Sequence, residues 1–131
     1  MIVIDASALL ELLLGTDLAE RVAARALAVQ ERLHAPHLLD IEIAQALRRL
    51  VQLKEVTSSR AEQALDDCGA LVIERYAHQE FLPRIWQLRN SVTAYDGAYI
   101  ALSEALAAPL LTCDTKLGRS HGHGAKVEVV R

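Results

Sequence analysis

Aromatic side chains are scarce in this chain. One Phe, one Trp and three Tyr make up 4% of 131 residues. With 52% hydrophobic residues, a core must be assembled mainly from Leu, Val, Ile and Ala, which suits helices packed on a sheet. Cysteine is nearly absent too. Cys68 and Cys113 form no C-x-x-C pair, which excludes a zinc-ribbon or thioredoxin pattern and fits a reducing cytosol. The N-terminus lacks the basic region of a signal peptide, and no apolar run approaches the ~20 residues of a spanning helix. A soluble, intracellular (cytoplasmic) protein without a membrane partner is expected. Net charge is −3, so a uniformly basic nucleic-acid binder is not indicated, although a local basic patch remains allowed. No linker, repeat or low-complexity segment interrupts the chain, and its length fits one domain over residues 1–131.

Periodicity then supplies the elements. "IVI" at the start reads as a buried strand, and "ASALLELLLG" as a short helix stopped by Gly15. A helix over "TDLAERVAARALAVQERL" is predicted from the stripe Leu18, Val22, Ala26, Val29 and Leu33, with Asp17 and Glu20 as a capping box. "HAP" is a very short strand. "LLDIEIAQALRRLVQLKEV" is helical, with Ile43, Leu47, Leu50 and Val51 inward. "SSRAEQALDDCGA" is helical, with Ser59 and Glu62 as its capping box. "LVIERY" is a strand, and "HQEFLPRIWQLRN" is a helix that tolerates Pro83 only near its first turn. "TAYDGAYIALSEALA" is a strong helix with Tyr95, Tyr99, Leu102 and Leu106 on one face. "PLLTC" is a strand, "DTKLGR" a turn of helix and "KVEVV" a closing strand. Such alternation predicts an α/β fold: a three-layer α/β/α sandwich around a central parallel sheet.

Four acids stand where that fold concentrates its chemistry. Asp5 closes the first strand, and Asp114 follows "PLLTC". Glu42 and Asp96 lie in the first turns of helices. Right-handed crossovers bring strand C-termini and the following helix N-termini to one edge. Each acid has a local reading. Asp5 and Asp114 can cap helices, Glu42 can favour the helix dipole, and Asp96 can complete a T-x-x-D box with Thr93. Together they have a shared reading, because carboxylates gathered at one rim repel one another and a hard divalent cation such as Mg²⁺ relieves the repulsion. Such a site suits phosphodiester hydrolysis. Ser7 and Thr112, two residues from the acids, can orient a carboxylate or cap the backbone, and both readings stay open. His121 and His123 in "SHGHG" read as a flexible loop. Trp86 reads as packing or interface, and Cys113 as a small strand-end residue. Arg48, Arg49 and Lys54 read equally as phosphate contacts or as a solvated helix face, and Lys116, two residues past Asp114, is the better candidate for substrate contact.

"VIDASALL", "PHLLDIEIAQALRRL" and "TAYDGAYIALSEALAAPLLTCDTKL", in that order, resemble a PIN domain, with spacing close to the toxin ribonucleases of VapBC-type toxin–antitoxin modules. The resemblance implies a Mg²⁺- or Mn²⁺-dependent endoribonuclease that cuts RNA, is usually a homodimer, and is held inactive by a cognate antitoxin. It carries the family's acidic set onto Asp5, Glu42, Asp96 and Asp114 and its supporting hydroxyls onto Ser7 and Thr112. Gly97 departs from the family's usual Ala. Two other classes compete. A receiver-like phosphoacceptor needs an Asp at the end of a central strand, where "LVIERY" offers only Glu74. A catalytically inactive interaction module has no reason to keep all four acids.

Overall fold

A computed structural model describes all 131 residues. The elements follow in the order β1 Ile2–Ile4, α1 Ala6–Leu14, α2 Ala19–Ala26, β2 Leu33–Pro36, α3 Leu38–Gln52, α4 Ser58–Ala70 and β3 Ile73–Tyr76. A 3₁₀ turn at Gln79–Phe81 leads into α5 Leu82–Gln87. The chain then runs through α6 Ala94–Leu106, β4 Leu110–Thr112, α7 Thr115–Gly118 and β5 Val127–Val129. All four strand pairings are parallel, in the order β3-β2-β1-β4-β5. The chain steps outward from β1 to β3, then returns across the sheet to β4. That reversal, between β1 and β4, is where open α/β sheets form a crevice beyond the strand C-termini. Right-handed crossovers put the helices of the outward steps on one face and those of the return on the other. Accordingly α1, α2, α3 and α4 pack among themselves, while α6 lies across β1, β2 and β4.

The central strands are apolar on both faces because both are covered. Ile2, Val3 and Ile4 are wholly buried, and Leu110, Leu111 and Thr112 nearly so. Each fully buried Ile or Leu contributes about 1.5–3 kcal/mol relative to exposure. The edge strands are less enclosed. β3 carries Glu74 and Arg75, and β5 carries Glu128, which α2 covers through Arg25 Nε at 2.7 Å.

Several local expectations need correction. Helix α2 is half the predicted length: Val29 is 93% exposed, and Leu33 belongs to β2. The stripe ended at Ala26 because Leu33 pairs with Ile2 in the sheet instead. Asp17 and Glu20 form no capping box, since the residue before α2 is Leu18, without a side-chain cap. At α4 the cap is Thr57, whose Oγ1 accepts from Arg60 N–H at 3.1 Å, not Ser59. α3 stops at Gln52, short of Val56, with Leu50 and Val51 only partly buried. Tyr95 is 61% exposed, so the inward face of α6 begins later, with Tyr99 and Leu102. Pro83 sits within the first two positions of α5, where its missing N–H is harmless.

Gly15 ends α1 at φ +63°, a left-handed backbone that glycine adopts without penalty. Gly118 is constrained by space. A Cβ there would run into Val129 Cγ2 of β5, and a β-branched neighbour cannot swing aside. Gly118→Ala should therefore destabilise the fold by about 1–3 kcal/mol, as overpacking does. Adding Val129→Ala should recover part of that loss, measured as the midpoint of denaturant unfolding at an unchanged slope.

Candidate active site

Asp5 leaves β1 at the sheet reversal and is 6% exposed. Its Oδ1 accepts from Ala8 N–H at 3.0 Å and from Ser7 Oγ at 2.7 Å. Its Oδ2 accepts from Thr112 Oγ1. Both hydroxyls donate their one proton to Asp5 and remain acceptors for the β4 side. Ser7 Oγ takes Cys113 N–H at 2.9 Å, and Thr112 Oγ1 takes Asp114 N–H at 3.0 Å. The end of β1 is thereby tied to the end of β4. Asp5 caps α1, as its local reading had it, and also stands in the crevice.

Asp114 follows β4 and caps α7 by accepting Lys116 N–H at 2.8 Å. Glu42 is the fifth residue of α3, one turn later than expected. The first-turn acid is Asp40, which is bound by Arg75 through Nε at 2.7 Å and Nη2 at 2.8 Å. Asp96 sits in the first turn of α6, capped by Thr93, whose Oγ1 accepts Asp96 N–H at 3.1 Å. The four acids, with Ala6, Ser7 and Tyr99, line one cavity of about 170 Å³.

Sequence reasoning placed Tyr99 in the apolar stripe and missed its second role. Its ring is buried, and its hydroxyl donates to Glu42 Oε1 at 2.6 Å. The available signal was the residue type, because a buried tyrosine hydroxyl needs a partner. Gly97, the departure from the family pattern, is not demanded by space. A Cβ there would meet Ile85 Cγ2 at an ordinary 3.4 Å.

Electrostatically the cavity is uncompensated. None of the seven salt bridges reaches Asp5, Glu42, Asp96 or Asp114. Burial pushes the Asp5 carboxyl above its ordinary range, against the hydrogen bonds from Thr112, Ala8 and Ser7, and Asp114 pushes the same way. Burial raises Glu42 as well. The Tyr99 hydrogen bond opposes that rise, while Asp5 and Asp96 add to it. Asp96 is raised by burial, then by Asp114 and Asp5.

No three His, Cys, Asp or Glu side chains stand close enough to wrap a metal ion directly. The donor set still fits a hard divalent cation: it is oxygen only, lacks a protein counter-charge, and borders a cavity with room for the waters such an ion keeps. Cys113 does not line the cavity, and burial pushes its thiol up to about 11. His123 belongs to the loop. Its Nδ1 accepts Ala125 N–H at 3.2 Å, leaving Nε2 to donate to Ser120 Oγ at 2.8 Å.

The PIN domain description matches residues 2–120. The chain belongs to the PIN-domain family. A ribonuclease named VapC12 from Mycobacterium tuberculosis is 40% identical over 130 residues, covering 99% of each chain. Among solved structures, a chain of VapBC2 from Rickettsia felis, bound to a DNA fragment from its promoter, superposes with a TM-score of 0.71 over the whole of both chains at 13% identity. VapC20 from Mycobacterium tuberculosis, described as a sarcin–ricin loop cleaving toxin, has a TM-score of 0.69 at 11% identity, covering 95% of this chain and 97% of its own. At such identities the superpositions speak to the fold: the PIN sandwich expected from the sequence is present here.

Tyr99→Phe should separate the two jobs of that side chain. The ring keeps its packing, so the fold should lose only about 1.5–3 kcal/mol for one bond to a charged group. Glu42 loses the bond that held its carboxyl down, so its pKa should rise further. Carboxyl-carbon NMR titration of Glu42 in wild type and variant reads that direction.

Proposed function

We propose that this PIN domain, spanning residues 1–131, is a metal-dependent endoribonuclease, the toxin of a toxin–antitoxin pair working in the cytoplasm. One observation carries the reading: four carboxylates from four separate segments share one cavity without a protein cation. The ribonuclease relatives, 40% identical across nearly the full chain, supply the substrate class. Asp5, Glu42, Asp96 and Asp114 would hold the ion, Mg²⁺ or Mn²⁺. When bound, a divalent ion polarises a phosphoryl oxygen and lowers the pKa of water for in-line attack.

The chain's own residues prepare the place. Ser7 and Thr112 hold both oxygens of Asp5 in fixed directions. Thr112 positions Asp114 through its backbone N–H. Tyr99 holds Glu42 from beneath, and Thr93 fixes the turn that carries Asp96. A small co-encoded antitoxin with a basic segment suits the acidic cavity. Exposed Ile41 and Tyr95, lining one groove beside Glu42, suit contact with a second copy.

The receiver alternative is disfavoured at Asp5, the acid ending a central strand. β1 ends in this single acid, followed by Ala6 and Ser7, and offers no acidic pair of the kind a receiver site needs. Glu74, the other candidate, lies on an edge strand.

Purified protein should cut total RNA in Mg²⁺ or Mn²⁺ and stop in EDTA. Asp5→Asn should lower the rate by more than about a hundredfold, beyond what loss of an outer partner of a metal site costs, while circular dichroism stays unchanged. Full cleavage by the folded variant, or wild-type cleavage in EDTA, would overturn the assignment.

Thermal melts probe the cluster without substrate. The raised carboxyls bind protons more tightly folded than unfolded. Their stabilisation is complete below the unfolded carboxylate range and is lost as pH rises through the raised values. At pH 7 in EDTA, Asp96→Asn removes one of these penalties and should melt no lower than wild type. Millimolar Mn²⁺ should raise the wild-type midpoint, by about 2.7 kcal/mol of stability at a hundred times Kd, and raise the variant's less. Parallel shifts of the two proteins would show that Asp96 shares no ion.

A further inference from the structure

Of the fourteen lysines and arginines, only Arg25, Arg75, Arg84 and Lys126 stand within salt-bridge distance of a carboxylate. Three of the unpaired ones, Arg89, Lys116 and Arg119, line a single groove of about 540 Å³. Arg89 comes from the turn after α5, and Lys116 and Arg119 come from α7 and its end. The groove's one carboxylate is Asp96, which is also part of the acid cavity wall. A basic channel and an acidic centre therefore share a side chain. Arg89 is held in advance of any ligand. Its Nη1 donates to Trp86 O at 2.9 Å, and its guanidinium lies 4.8 Å from the centroid of the Trp86 ring. Asn90, Ser91 and Ser120 add neutral polar groups to the lining.

Like charges gathered without counter-ions favour a ligand that brings several charges of the other sign on one chain. Nucleic-acid backbones meet that need with one phosphate per nucleotide. An acidic peptide brings the same sign of charge, and the ribonuclease reading of the adjoining cavity decides for the nucleic acid. We infer that this groove is the track for the single-stranded RNA flanking the cut, its phosphates lying on Arg89, Lys116 and Arg119. The inference rests on the ribonuclease reading for the nature of the polyanion, and it assigns these side chains to positioning rather than to chemistry.

The test is direct binding in EDTA, where no cut is made, followed by fluorescence anisotropy of a labelled single-stranded oligoribonucleotide from about 50 to 200 mM salt. Three proteins are compared: wild type, Arg89→Ala/Lys116→Ala/Arg119→Ala, and a control of equal charge, Arg21→Ala/Arg32→Ala/Arg131→Ala. All six positions are exposed, and thermal melts confirm folding. The groove variant should lose tenfold or more in affinity. Its slope of log K against log salt should flatten by about two, the loss expected for three single-strand contacts. The control should keep the wild-type slope to within about one contact. With Mn²⁺ present, cleavage by the groove variant should show a raised KM and a nearly unchanged kcat.

Wild-type affinity in the groove variant, or equal loss in the control, overturns the track. So does loss of binding to labelled polyglutamate with RNA binding intact, which would mark an acidic protein segment as the occupant. Wild type that cleaves RNA while the groove variant matches it in KM and slope refutes the track alone. Groove-dependent RNA binding without any cleavage in Mn²⁺ refutes the ribonuclease reading alone.

Discussion

A carboxylate held almost out of water is the constraint around which this molecule is arranged. Withdrawing such a charge costs several kcal/mol unless its lone pairs are met. Asp5 meets them with an amide of the helix it caps and two hydroxyls. One of those hydroxyls belongs to β4, more than a hundred residues away in sequence. The same hydroxyls receive the amides of Cys113 and Asp114. The direction in which β4 delivers its acid thus depends on a bond to the acid of β1. Parallel pairing of β1 with β4 puts the two strand ends side by side, and the Asp5 cluster fixes what happens beyond them.

Much of this was legible in the residues, for identifiable reasons. Asp5 and Asp114 could be located because each follows a short apolar run that reads as a buried strand, β-branched throughout in Ile2, Val3 and Ile4. Asp96 could be located because Thr93 and a long apolar pattern mark a helix start. Glu42 was harder. Asp40, two residues before it, is equally acidic and nearer the helix start, and only the position of Arg75 on β3 separates the paired acid from the unpaired one. The overextended second helix has an identifiable cause. Val29 and Leu33 continue a helical period by coincidence, because Leu33 is apolar for the sheet's sake. Caps were misassigned where two candidates stood side by side, as Thr57 and Ser59 do. Hydrogen-bond partners far apart in sequence, such as Tyr99 with Glu42, leave no local signature.

Net charge conceals the most informative feature. A total of −3 suggests a mildly acidic, unremarkable surface. In space the charges are sorted. Glu31, Asp40, Glu104 and Glu128 are all bound by arginines, while the four cavity acids and the three groove cations are left unmatched. Other unpaired charges are scattered over the surface, but these two sets meet at Asp96, which lines both the cavity and the groove.

The short edge strands bear on how the molecule can grow. β3 offers Glu74 and Arg75 within four residues, and β5 is three residues long, with Glu128 clasped by Arg25 of α2. A strand from another chain would have to displace charged, hydrogen-bonded side chains to add to either margin. The five-stranded sheet is accordingly a closed layer. Edges of this kind favour contact with further copies through the helical coat over continuation of the backbone ladder from one molecule into the next.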